Sequence, residues 1–67
     1  MSVAKVTEIS ATSEVSFDDA VKQGITRANE TLDEVRGAWI NEMKVDVMDG
    51  QVTVYRVNMK VTFVLKD

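Results

Sequence analysis

The chain has no cysteine, no histidine and no proline, and its 67 residues include only one tryptophan, one tyrosine and two phenylalanines. Without cysteine and histidine it has no disulfide and no site built from nitrogen and sulfur metal ligands. It also has no thiol nucleophile and no side chain that ordinarily titrates near neutral pH. The chain is therefore not expected to be an enzyme. Ser10, Thr12, Ser13 and Ser16 read as loop and cap hydroxyls rather than as nucleophiles activated by Lys5 or Glu8. The three glycines, Gly24, Gly37 and Gly50, lie too far apart to form a phosphate-cradling loop. Gly24 instead suits a close approach of a helix to a sheet.

Positive charge is also scarce: the formal net charge is −3 and the isoelectric point about 4.8. Duplex nucleic acid and anionic membrane surfaces both demand a basic face, so neither is an expected partner. No apolar run approaches the roughly 20 residues of a membrane span, and Met1 to Ile9 lacks the pattern of a secretory signal. A soluble protein of the cytoplasm is expected. Carboxylates are the remaining metal ligands, and they suit hard cations such as Ca²⁺ or Mg²⁺. The densest groups, Asp18-Asp19, Asp33-Glu34 and Asp46 with Asp49, lack the spacing of a calcium loop, although symmetry in an oligomer can gather copies of one carboxylate on an axis.

Residues 1–67 are expected to form one domain, since so short a chain buries only about 60% of its unfolded surface. With neither disulfides nor a zinc-type metal site to add stability, self-association is the remaining route. Val3 to Ile9 is rich in β-branched residues and reads as a strand, followed by a turn-forming run Ser10-Ala11-Thr12-Ser13. Ser16 is a good N-cap with Asp19 at the N3 position, and Val15 and Ala20 are placed as a hydrophobic staple. A helix starting at about Phe17 then buries Phe17, Ala20, Val21, Ile25, Ala28, Leu32 and Val35, with Asp18, Lys22, Asn29, Glu30 and Asp33 on the opposite side. Gly37 is its expected stop, and Arg36 its expected C-terminal cation.

Two β-runs follow around Asp49-Gly50, the dipeptide favoured by a two-residue hairpin turn in which both φ angles are positive. An uninterrupted ladder from that turn sets Met48 opposite Gln51, Ile40 opposite Met59, Trp39 opposite Lys60 and Ala38 opposite Val61. One face then carries Ala38, Ile40, Val57, Met59, Val61, Phe63 and Leu65 and receives the helix. The other carries Trp39, Asn41, Met43, Arg56, Asn58 and Lys60, changing to Val45, Val47, Val52 and Val54 near the turn. Fifteen extended residues from Gln51 to Leu65 span about 50 Å. A compact monomer of this size has a radius of gyration of about 11 Å, so the hairpin must curl around the helix or project into neighbours. Trp39, Asn41, Arg56, Asn58 and Lys60 combine an aromatic surface, amides and cations on a face turned away from the core. Such a set suits a planar heteroaromatic ligand with a phosphorylated tail. On the residues alone, a subunit contact in which Trp39 meets Arg56 or Lys60 is the plainer reading of the same set.

The order strand, Thr12-Ser13, Ser16-capped helix with Arg27-Ala28 and Thr31, then a hairpin ending Tyr55-Arg56-Val57-Asn58-Met59-Lys60-Val61-Thr62-Phe63, resembles the dodecins over essentially the whole chain. The resemblance implies an α+β fold, β-α-β-β, with a three-stranded antiparallel sheet wrapped around one helix, and twelve copies in a hollow homododecamer. It further implies flavin (riboflavin or FMN) held in pairs between symmetry-related tryptophans, for storage or sequestration. Trp39, Asn41, Arg56, Asn58 and Lys60 would then be the cofactor-binding residues. Aligned without gaps from Thr31 to Phe63, the family's stacking tryptophan falls on Gly37, so Trp39 comes two residues later and about 7 Å along the same face. Arg56 stands where flavin-binding members often have glutamine. These departures leave a second expectation, a dodecin-like shell that has lost flavin and binds Ca²⁺ or another hard cation.

Overall fold

Ser16 starts the helix: its hydroxyl accepts from the backbone N–H of Asp19 at 3.0 Å, satisfying one of the orphan donors of the first turn. The computed structural model describes residues 3–32 and 34–65. In it strand β1 runs Ala4–Ser13, helix α1 Phe17–Thr31, strand β2 Val35–Met48 and strand β3 Gln51–Val64. The strands form one antiparallel sheet in the order β1-β3-β2, with β3 central. This is the expected β-α-β-β architecture.

The core lies where α1 crosses the sheet. Ala20, Val57 and Met59 are fully buried, and Ile9, Ala11, Phe17, Val21, Ile25 and Ala38 pack around them. The Phe17 and Tyr55 rings meet edge to face at 5.1 Å between centroids. Gly24 is buried where α1 meets Met59 and Ala11, and a methyl group there would collide with Met59 Cε and stand 3.0 Å from Ala11 Cβ. Fifteen helical residues extend about 22 Å, whereas each hairpin strand of 14 residues reaches about 46 Å. The turn end of the hairpin therefore overhangs the helix, leaving Val47, Met48 and Val52 exposed. The chain accordingly measures 51 × 19 × 13 Å, with a radius of gyration of 13.7 Å.

Four local expectations are corrected. Ser10 to Ser13 continue β1 opposite Asn58 to Tyr55 instead of turning, because β3 supplies partners for their backbone groups. Only Ser13 acts in the connection, where its hydroxyl accepts from Val15 N–H and donates to Asp19. Val15 is 73% exposed, so no staple forms with Ala20. The helix ends at Thr31, and Val35 and Gly37 belong to β2, so Gly37 is not its stop and Arg36 is not in its last turn. The left-handed residue of the connection is Glu34, at φ 48°. Its carbonyl accepts from Val64 N–H, so sheet pairing draws the chain out of the helix early. Asp33 lies outside the described residues.

The hairpin turn has the expected geometry, with φ of 51° at Asp49 and 77° at Gly50. The ladder, however, is not uninterrupted. Asn41 is an extra residue in β2 and Thr53 an extra residue in β3, so the register is displaced by one between them and restored from Ile40 back to Gly37, where a further extra residue, Arg36, shifts the last pair, Val35 with Phe63. Met43 consequently stands opposite Val57, and Val45 opposite Tyr55, on the helix side rather than on the Trp39 face. Lys44 faces Arg56 on the outer side in their place.

Because an L-residue in the left-handed region costs roughly 1–2 kcal/mol, Glu34→Asn should stabilise the fold by about 0.5 kcal/mol, since asparagine tolerates that region better. It sacrifices only the exposed 3.5 Å contact with Arg36. The measurement is a thermal melt at fixed protein concentration, and a lower midpoint would contradict the assigned backbone.

Candidate functional site

The outer face of the sheet is built in rows across β1, β3 and β2. Alternation in β3 turns Arg56, Asn58 and Lys60 outward between the buried Val57, Met59 and Val61. Pairing sets Glu8, Lys60 and Trp39 in one row, Ser10, Asn58 and Glu42 in the next, and Thr12, Arg56 and Lys44 in the third. Directly opposed side chains lie within about 5.5 Å at Cβ, so each row is one contact neighbourhood.

Trp39 is 62% exposed, the largest aromatic surface the fold leaves uncovered among the described residues. Beside it, Gly37 occupies the adjoining row opposite Thr62, and a Cβ at Gly37 would meet nothing within 4 Å. The missing side chain opens a depression of about 390 Å³ lined by Arg36, Gly37, Ala38, Trp39 and Thr62. One side of the indole therefore borders open space rather than protein atoms.

The bulge at Asn41 directs its amide to Asn58, with Asn41 Nδ2 donating to Asn58 Oδ1 at 3.2 Å. The two amides retain further donor and acceptor capacity for a ligand edge. Thus Trp39, Asn41, Asn58 and Lys60 come together on neighbouring rows. Arg56 lies one row further toward the turn, its Nη2 2.9 Å from Asp46 Oδ2. Ser10, Glu42, Met43, Lys44, Arg56 and Asn58 line a second, smaller recess of about 210 Å³ there.

Sequence reasoning missed Glu8, Ser10 and Thr12, because nothing local to β1 reveals that it pairs with β3 rather than β2. The opposite charges of Glu8 and Lys60 are the one hint. Asp46 was weighed only as a metal ligand with Asp49, and its pairing with Arg56 was missed, since that approach depends on the displaced register. Among the described residues no three acidic side chains converge as a metal site within one chain. Asp19 is engaged by Ser13 and Gln23, and Asp46 by Arg56. No helix among the described residues is long and apolar enough to cross a membrane.

Residues 3–66 match the model of the dodecin family. The chain is 32% identical over 66 residues to the calcium dodecin of Mycobacterium tuberculosis, covering 98% of this chain and 93% of that protein. Among solved structures it is similar to a dodecin from Streptomyces davaonensis, with a TM-score of 0.93 at 35% identity, covering 98% and 97% of the two chains. The solved Mycobacterium tuberculosis calcium dodecin, described with a calcium-binding site, gives a TM-score of 0.81 at 31% identity and covers 96% and 91%.

Proposed function

The chain belongs to the dodecin family, and from that membership we propose that it is a flavin-binding storage or sequestration protein which assembles as a hollow homododecamer. The observation that carries the ligand is the uncovered Trp39 ring bordering the space at Gly37, with the Asn41–Asn58 amide pair on the adjoining rows. A riboflavin or FMN ring stacks on Trp39, held between two copies of this face. Asn41, Asn58 and Lys60 serve its polar edge, and Arg56 extends the site toward the turn. The bound ring supplies a chromophore to be stored and quenched. The cytoplasm is the compartment we expect.

Assembly draws its own support from the surface. The chain exposes 5000 Å², while a monomeric globular protein of 7.5 kDa exposes about 4,250 Å². Both β1 and β2 also have an open edge, which association can cover. Light scattering should give a mass near twelve times 7.5 kDa; a monomer would refute this assembly.

Titration with riboflavin and FMN, following flavin and tryptophan emission together, tests the ligand. Both emissions should fall as the site fills. Unchanged emission at tens of micromolar flavin would sink the flavin reading.

One observation favours a second reading, the similarity to a relative named calcium dodecin. In that case carboxylates from several copies converge to hold Ca²⁺, and the outer face serves only as a contact between subunits. A Ca²⁺-dependent rise in thermal midpoint that Mg²⁺ does not reproduce, in a protein indifferent to flavin, would support it.

A further inference from the structure

Lys44 and Arg56 stand directly opposite each other on the outer face. Two cations so placed repel, yet carboxylates border them on the same side. Asp46 reaches Arg56 at 2.9 Å, both side chains being only partly exposed. Its backbone is braced as well, since the hydroxyl of Thr53, the extra residue of β3, donates to the Asp46 carbonyl at 3.2 Å. Glu42, opposite Asn58, supplies a second negative charge one row away. Glu42, Asp46, Lys44 and Arg56 therefore form a charge-balanced group.

That balance bears on the ligand. A guanidinium offers five N–H donors, and one carboxylate leaves several free. A free Arg56 beside Lys44 would attract a phosphate strongly. With Asp46 already on Arg56, a dianionic phosphate must displace or lie against a carboxylate, and like charges in a partly dried site repel more than in bulk water. A neutral carbonyl at the edge of a flavin ring meets no such opposition.

We infer that Asp46 is a specificity-determining residue: by holding Arg56 as a compensated pair, it leaves the guanidinium to donate to a neutral ring edge and makes the site take unphosphorylated flavin without preferring the phosphorylated form. The inference rests on the flavin reading above and narrows it.

The test compares riboflavin and FMN dissociation constants, by emission quenching at low ionic strength, for the assembled wild type, Asp46→Asn, Arg56→Gln and the double variant. The wild type should bind the two flavins within about threefold of each other. Asp46→Asn should shift the ratio toward FMN by about tenfold, the size of effect expected when one nearby carboxylate charge is removed. The shift should shrink as salt is added. In the Arg56→Gln background the same substitution should change the ratio by less than about twofold, because Asp46 acts through Arg56. The thermal midpoint of Asp46→Asn should stay within about 3 °C of wild type, as a half-exposed pair contributes little to stability. A wild type that prefers FMN tenfold or more, or an unchanged ratio in Asp46→Asn, would overturn the role of Asp46 while leaving flavin binding intact. No quenching of either flavin by the wild type would overturn both.

Discussion

Trp39→Ala should weaken flavin binding by at least tenfold while leaving the far-UV circular dichroism spectrum and the thermal midpoint of the chain nearly unchanged. The indole is 62% exposed and takes no part in the buried cluster around Met59, so its removal leaves no cavity in the core. What is lost is stacking surface. Aromatic stacking on a heteroaromatic base is worth about 1–3 kcal/mol per contact by alanine substitution, and a ring held between two indoles loses two such contacts. The same variant separates the two readings. If Trp39 instead anchors a subunit contact, truncation removes a tryptophan hot spot worth about 2 kcal/mol or more. Light scattering would then show smaller species even without ligand. Intact assembly with lost quenching supports the flavin site. Dissociation of a protein that never bound flavin supports the shell.

Gly24→Val should be the most destabilising single change, lowering the thermal midpoint by at least about 10 °C at fixed protein concentration. At this crossing the helix backbone lies so close to the sheet that even a first carbon would strike Met59 Cε and crowd Ala11 Cβ. Met59 has a flexible end and can yield. Ala11 cannot, because its Cβ is fixed to β1, which is paired along its length with β3. Overpacking of this kind costs about 1–3 kcal/mol or more. A domain of this size shifts by about 4–8 °C for each kcal/mol. Gly24→Ala should fall between, since its gain in helix propensity of about 1 kcal/mol offsets part of the crowding. A Gly24→Val midpoint within 3 °C of wild type would mean that α1 does not seat on Met59 as described.

Much of the fold was legible because its strongest signals are local. Asp49-Gly50 specifies a tight turn whose two positive φ angles nearly any other pair would resist, and Ser16 with Asp19 specifies a helix start within one turn of chain. The register beside the turn and again at Ala38, Trp39 and Ile40 followed correctly from that turn. The stretch between did not, because the extra residues Asn41 and Thr53 cancel each other, so neither of those correct stretches discloses them. Gly37 misled for a related reason. A glycine after an amphipathic run ordinarily marks a left-handed stop, yet the chain makes its left-handed turn at Glu34, where pairing with Val64 outweighs the intrinsic preference of the residue.

By itself the sequence determined the β-α-β-β elements, that Gly24 would sit at a close crossing, and that Trp39, Asn58 and Lys60 would share a face away from the core. Periodicity and turn chemistry act over a few residues and need no knowledge of distant partners. Only the tertiary structure decided that β3 is central and that Glu8, Ser10 and Thr12 join the Trp39 face. It also decided that Asn41 bonds Asn58 and that Asp46 holds Arg56. Those outcomes depend on which strands pair and where the ladder slips, and they come from the competition among all backbone partners at once.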